Sequence, residues 1–118
     1  MKASDLMGIL FLGRDVAHRV HLSTRSYAKH KALDEFYHEI IDAADSFAEA
    51  YQGKYGLMGQ IPLKSAKATA NIVTFLEDQV KEIEDGRAEV CDCSPIQNLI
   101  DEILAVYFSA LYKLKFLA

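Results

Sequence analysis

The fold is decided by residues 18–49, which read HRVHLSTRSYAKHKALDEFYHEIIDAADSFAE. This stretch contains all four histidines of the chain: His18, His21, His30 and His38. Three acidic residues follow within its last eight positions: Asp42, Asp45 and Glu49. Neutral imidazole nitrogens and carboxylate oxygens are the ligands that iron, zinc and manganese accept in proteins. The stretch therefore predicts a transition-metal site carried by two neighbouring helices.

Apolar residues repeat at helical spacing through the first half of the chain. In the second predicted helix they are Leu33, Phe36, Tyr37, Ile40, Ala44, Phe47, Ala48 and Tyr51. This stripe predicts a helix from about Tyr27 to Tyr51, with Gly53 as its stop. A preceding helix is predicted from about Asp5 to Leu22, and Gly13 inside it indicates a close contact with another helix.

Two more helices are predicted in the second half. The third begins between Leu63 and Ser65 and ends near Asp85, with Gly86 as its stop. Its predicted inner face comprises Ala66, Ala70, Val73, Leu76, Val80 and Ile83. Ser94-Pro95 is a typical helix start, so the fourth helix runs from Pro95 nearly to the last residue. The sequence thus predicts one all-α domain over residues 1–118, an antiparallel four-helix bundle with one long connection in its middle.

The fourth helix is apolar nearly all round between Ile103 and Leu111. A helix that is apolar on every side is normally buried on every side, which a four-helix monomer does not provide. The pattern therefore predicts a contact between subunits and a homo-oligomer, at least a dimer.

Composition excludes several classes of protein. A net charge of −4 and scattered lysines are not the basic surface of a nucleic-acid-binding protein, so no specific nucleic acid is predicted. The longest apolar stretches are far shorter than the roughly 20 residues of a membrane span, and no secretory signal is apparent. Cys91 and Cys93 are too few for a disulfide framework, which favours a reducing, cytoplasmic setting.

The acidic residues of the second helix form a stripe of their own. His38, Asp42, Asp45 and Glu49 follow at intervals of four, three and four, on the side opposite the apolar stripe. The ordinary interpretation of such a stripe is a solvated helix face. These acids, however, lack the lysines four residues onward that usually relieve repulsion on such a face. A bound cation or a partner surface would neutralise them.

The spacing of these residues resembles a known family. His18 and His30 are twelve residues apart, Asp45 follows after fifteen, and Glu49 after four more. Together with the segments HKALDEFY and DSFAE, this series resembles the ferroxidase-site pattern of the Dps family, the miniferritins of the ferritin-like superfamily. The resemblance covers residues 17–63, about 40% of the chain. The family's tryptophan after the first histidine is replaced by Arg19, and its lysine-rich N-terminal tail, which binds DNA, has no counterpart.

The resemblance implies a ferritin-like fold with an iron site between subunits. His18 and His30 of one subunit would face Asp45 and Glu49 of a two-fold-related subunit. His21, His38 and Asp42 would support these ligands or add to them. The implied reaction is oxidation of Fe(II) by peroxide or oxygen, followed by iron storage. Zinc or manganese are alternative metals, and the short chain is typical of a phage or mobile element.

Other interpretations of the sequence stay open beside this one. The chain is alternatively a non-catalytic ferritin-like helical structural or interaction protein that has lost the iron chemistry. Glu35 and His38 match an ExxH di-iron motif, but only one copy of it is present and Glu35 is expected on a different side from Asp42. Cys91 and Cys93 are expected to be free thiols in a loop rather than a metal or redox pair.

Overall fold

The computed structural model describes residues 1–67 and 71–118, which form a bundle of four α-helices. The helices are α1 (Ala3–Ser23), α2 (Tyr27–Tyr55), α3 (Ile72–Gly86) and α4 (Ser94–Phe116), with a 3₁₀ turn at Arg87–Glu89 after α3. No strand occurs within these two ranges, which confirms the all-helical prediction. No helix in the described part of the chain is long and apolar enough to cross a membrane.

Local side-chain chemistry sets the limits of α2. Its first turn is capped by the Ser26 hydroxyl, which accepts a hydrogen bond from the Lys29 backbone N–H at 3.2 Å. The prediction that Gly53 ends the helix is wrong, because α2 continues to Tyr55. The helix ends at Gly56, whose φ of 90° is accessible to glycine without strain.

The predicted start of the third helix is also wrong. Helix α3 begins at Ile72, where the Asn71 side chain accepts a hydrogen bond from the Thr74 backbone N–H at 3.1 Å. Ala66, predicted on the inner face, is exposed in the segment before the helix. Val73 is half-buried, whereas Leu76, Val80 and Ile83 are buried as predicted; Ala70 lies outside the described residues.

The connection between α2 and α3 runs along the outside of α1. It starts at Gly56, beside the first residues of the chain. Farther on, the carbonyl oxygen of Pro62 and the Lys64 side chain lie against Gly8, and residues 64–67 border a groove with Arg19 and Ser23. An extended segment covers about 3.3 Å per residue and a helix about 1.5 Å. The segment 56–67 therefore reaches the other end of the bundle because it is not helical, contrary to the predicted helix start between Leu63 and Ser65.

This crossover fixes the direction of the second hairpin. Helix α3 runs back along α1, since the Gln79 side-chain amide donates to the Ile9 carbonyl oxygen at 2.9 Å and Gly86 packs against Met1. Helix α4 then returns beside both α3 and α2. Neighbouring helices are antiparallel throughout, whereas α2 and α3, which lie diagonally opposite, run in the same direction.

Gly13 lies where the two hairpins meet. A Cβ atom there would be 2.3 Å from Gln79 Oε1 and 2.9 Å from the Tyr107 hydroxyl, so the predicted close helix contact is confirmed. The Tyr107 hydroxyl donates to Gln79 Oε1 at 2.7 Å. Burial raises the pKa of the Tyr107 phenol far above its usual range, which keeps this donor protonated.

Helix α4 has two different faces within one copy of the chain. Five residues of its middle section are buried: Ile103, Leu104, Tyr107, Ala110 and Leu111. Ala105 and Phe108 from the same section are exposed. The helix is therefore not covered on every side by its own bundle, and the contact between subunits stays a prediction.

Candidate functional site

Three of the four histidines meet at the turn between α1 and α2. The rings of His21 and His30 stack with centroids 3.7 Å apart, and His18 lies 6.0 Å from His21. Tyr37, seven residues after His30 on α2, stacks on His18 with ring centroids 4.3 Å apart. The turn thus gathers imidazoles from the end of one helix and the start of the next.

His21 and His30 hold each other through reciprocal hydrogen bonds. Nδ1 of His21 donates to the His30 carbonyl oxygen at 2.6 Å, and Nδ1 of His30 donates to the His21 carbonyl oxygen at 2.8 Å. Because both Nδ1 atoms carry the proton, Nε2 is the lone-pair nitrogen of each neutral ring. A histidine that ligates a metal is commonly held in this way, by a hydrogen bond from its other nitrogen to a backbone carbonyl.

The stacking limits which of these rings can share an ion. A metal ion lies in the plane of the imidazole that binds it, about 2.0–2.1 Å from the nitrogen. The His21 and His30 ring centroids are 3.7 Å apart and the ring planes are inclined by only 17°, so the two planes do not meet within a metal–nitrogen bond length of both rings. In this conformation the two rings cannot ligate the same ion. His21, which is buried, is placed to position His30 instead.

His18 differs from His21 and His30 in the hydrogen bonding of its ring nitrogens. It is half-buried, and among residues 1–67 and 71–118 neither of its nitrogens has a hydrogen-bond partner. His18 and His30 flank His21, and each keeps a nitrogen free to act as a ligand. The structure thus brings together His18, His21 and His30 of the predicted site residues.

Two residues that the histidine spacing did not identify also lie at this turn. The guanidinium of Arg14 is 5.8 Å from the centre of the Tyr37 ring, and its Nε is buried with no hydrogen-bond partner among the described residues. Burial, aided by the Asp34 carboxylate, raises the pKa of the Tyr37 phenol. Arg14 shares a helix face with His18, which is the signal that would have found it. Its charge disfavours a cation at the turn unless carboxylates approach as well.

The predicted carboxylate ligands lie elsewhere in the same copy. Asp42, Asp45 and Glu49 are exposed along α2, and none forms an ion pair with the described part of the chain. Asp45 is fifteen residues beyond His30, about 22 Å along the helix. Within one copy, no three His, Cys, Asp or Glu side chains among the described residues are placed to hold a metal ion. Any site that combines His30 with Asp45 requires a second copy.

The remaining candidates face other parts of the molecule. His38 is exposed, and its Nδ1 donates to the Asp34 carbonyl oxygen at 2.8 Å. Glu35 forms an ion pair with Lys113 of α4, so its carboxylate is already paired within the chain. Cys91 and Cys93 are free thiols, as expected. They lie near Tyr55 at the opposite end of the bundle and add nothing to the histidine cluster.

Comparison with known proteins shows that the sequence of this chain is similar to uncharacterised proteins. Residues 21–114 match the model of DUF5856, a family of unknown function. The chain belongs to this family. An uncharacterised 14.6 kDa protein from the mobD–ri intergenic region of Enterobacteria phage T4 is 28% identical over 114 residues, which cover 96% of this chain and 88% of the phage protein. No solved structure matches the chain. The histidine turn lies at the beginning of the matched range, and His18 precedes it.

Proposed function

We propose that two copies of this chain bind Fe(II) between them and oxidise it, with His18 and His30 of one copy facing Asp45 and Glu49 of the other. The observation that carries this proposal is that nitrogen ligands and carboxylate ligands lie at different places along α2. Nitrogen ligands with uncommitted atoms lie at one end, and unpaired carboxylates lie about 22 Å away on an exposed face. An antiparallel pairing of two α2 helices would bring each set against the other.

The connectivity of the bundle supports the same proposal. Two antiparallel hairpins joined by one long crossover is the arrangement of ferritin-like bundles. The connection along α1 has this form. A ferritin-like fold is therefore part of what we propose, with Fe(II) as substrate and with peroxide or oxygen accepting its electron.

Electrostatics explains why both sets of ligands are needed. Arg14 adds a positive charge beside the imidazoles, so the Asp34 carboxylate near Tyr37 would not by itself neutralise a further cation there. Asp45 and Glu49 of a second copy would bring two negative charges to the turn. Carboxylate oxygens also favour the ferric product over Fe(II), since they are hard ligands.

The test compares Fe(II) oxidation by three variants of the metal-free protein. His18→Gln with His30→Asn removes the nitrogen ligands, and the asparagine amide can still replace Nδ1 at the His21 carbonyl oxygen. Asp45→Asn with Glu49→Gln removes the carboxylates without changing their size. The matched control is Asp78→Asn with Glu84→Gln, two exposed acids of α3. Ferric absorbance after addition of peroxide should appear at the wild-type rate only in the control.

A mixing experiment tests whether the site is shared. When the histidine and carboxylate variants are refolded together, half of the dimers contain one chain of each kind. Each mixed dimer has one complete site, so about a quarter of the wild-type oxidation should return. Equal rates in all variants, or no recovery in the mixture, would contradict the proposal. Metal analysis of the purified protein would reveal zinc or manganese in place of iron.

A second candidate function is that of a non-catalytic helical interaction protein. The observation that favours it is that the reciprocal hydrogen bonds of His21 and His30 account for both residues without a metal. Wild-type rates in all variants would support this alternative.

A further inference from the structure

A line of exposed aromatic side chains runs along the outer face of α4. Phe108, Tyr112 and Phe116 are 50%, 56% and 73% exposed, and their spacing of four residues places them in one row. Tyr112 and Phe116 have ring centroids 6.1 Å apart. All three border a groove of about 430 Å³ between α3 and α4. The row is a continuous apolar surface rather than scattered single residues.

We propose that this face binds α4 of a second copy, with the two helices antiparallel about a two-fold axis near Ser109. At about 100° per residue, Ala105 points to the same side as Tyr112. In a register centred between residues 108 and 109, Ala105 lies opposite the partner's Tyr112, and Phe108 lies opposite the partner's Ser109. Small residues thus face large ones, which lets two identical surfaces interlock.

The charges of α4 select the antiparallel direction. Its exposed acids come early, at Asp101 and Glu102, and its lysines come late, at Lys113 and Lys115. The same register places Glu102 at the level of the partner's Lys115 along the helix axis. Glu102 has no ion pair within the described part of its own chain, whereas Asp101, Lys113 and Lys115 already pair with Arg87, Glu35 and Glu77. A parallel pairing would set like charges against each other, and such contacts disfavour a wrong orientation more than they add affinity.

The area available is sufficient for a modest dimer. Fully covered aromatic side chains bury about 200 Å² each, so the exposed parts of the three rings amount to about 350 Å² per copy and about 700 Å² across the axis. Ala105 and Ser109 extend the contact toward the roughly 1,000 Å² of a specific interface. Another copy of the chain matches this face in shape, charge and size.

This contact is independent of the proposed iron site. It uses α4, whereas the iron site requires α1 and α2, so it should form in metal-free protein. Two different two-fold contacts on one chain generate an assembly larger than a dimer. Loss of one contact would leave the other in place.

Cysteine cross-linking tests the register. In a Cys91→Ser, Cys93→Ser background, Ala105→Cys with Tyr112→Cys should give a covalent dimer under mild oxidation. The two positions are about 10 Å apart along one helix and cannot bond to each other. Ala105→Cys alone is the control, because the antiparallel register keeps the two copies of residue 105 apart. Cross-linking by this single variant, or none by the double variant, would overturn the proposal.

Sedimentation equilibrium in the presence of EDTA tests the interface itself. The wild type should be dimeric, and Tyr112→Glu should raise the dissociation constant about tenfold or more, since it places a charge at the centre of the contact. Leu22→Glu is the matched control, because Leu22 is 72% exposed on α1. A monomeric wild type, or equal dissociation constants for the two variants, would contradict the α4 contact without affecting the iron site.

Discussion

The two hairpins of this bundle are stabilised at their turns in the same way but by different side chains. At the first turn, His21 and His30 exchange two hydrogen bonds. At the second, the Gln97 amide donates to the carbonyl oxygens of Arg87 and Cys91 at 2.8 and 2.7 Å. Arg87 in return donates to the Gln97 side-chain and backbone oxygens at 2.9 Å each. Both turns are held by reciprocal bonds between a side chain and the backbone.

The two turns differ in which side-chain nitrogen and oxygen atoms are left outside their hydrogen bonds. Gln97 uses both amide hydrogens and its oxygen, and Arg87 also pairs with Asp101 at 2.7 Å. His21 and His30 at the first turn each use one nitrogen and keep the other. This bundle can therefore stabilise a turn without residues that ligate metals. The spare nitrogens of the first turn are what the proposed chemistry would use.

The largest expected effect concerns the place where the two hairpins meet. Gly13→Ala should lower the free energy of unfolding by about 3 kcal/mol, because the new methyl group meets Gln79 and Tyr107, which are buried and hydrogen-bonded to each other. Urea denaturation measures this change. Gly53→Ala is the matched control: beyond its own helical turn, no atom of the described residues lies within 4 Å of its Cβ position, so stability should rise by about 0.5–1 kcal/mol. Equal effects at the two glycines would show that the close contact at Gly13 is not needed.

The next largest effect is expected at the second turn. Gln97→Ala should cost about 2–3 kcal/mol in urea denaturation, because it removes the donor to two carbonyl oxygens and the acceptor of the Arg87 Nε–H. Its exposed neighbour Asn98 provides the comparison, since Asn98→Ala should change stability by less than about 0.5 kcal/mol. A cost at Gln97 as small as that at Asn98 would mean that water replaces the hydrogen bonds of this turn.

The first turn should contribute somewhat less. His21→Ala should cost about 2 kcal/mol, since it removes a buried ring and one hydrogen bond. His21→Asn should recover about half of this loss, because its amide can donate to the His30 carbonyl oxygen from the position of Nδ1. Chemical denaturation of the two variants distinguishes the roles of the hydrogen bond and the ring. If asparagine is no better than alanine, stacking with His30 stabilises the turn and the hydrogen bond does not.

Sequence patterns predicted the helices that are stabilised locally. The apolar stripe of α2 corresponds to its buried face, and the Ser94-Pro95 start of α4 agrees with the structure to within one residue. The predicted start of α3 is wrong because the spacing of alanines near Ala66 carries no information about the distance that the connection must cover. The prediction that Gly53 ends α2 is wrong because an exposed glycine is tolerated inside a long helix. Gly56 ends the helix instead, with a positive φ that glycine adopts without strain.

Part of the candidate site was accessible to the same reasoning. Helical geometry placed the acids on an outer face of α2, and their exposure agrees with it. The reciprocal bonding of His21 and His30 was not predictable, because it depends on the angle at which α1 meets α2. The distance between the imidazoles and Asp45 follows from helix length alone, whereas their meeting across two copies is a property of an interface. No pattern within one chain determines such an interface.

The smallest expected effect separates structure from chemistry at the first turn. His30→Asn keeps a donor for the His21 carbonyl oxygen but removes Nε2, so metal-free stability should fall by less than about 1 kcal/mol. Metal should then distinguish the variant from the wild type. A ligand at a hundred times its dissociation constant stabilises the folded state by about 2.7 kcal/mol, and His30→Asn should lose most of that gain. Thermal unfolding under argon, without metal and with Fe(II) or Co(II), measures the metal-free stability and the stabilisation by metal. Equal stabilisation of the two proteins by metal would make the first turn a purely structural counterpart of the second, with its spare nitrogens unused.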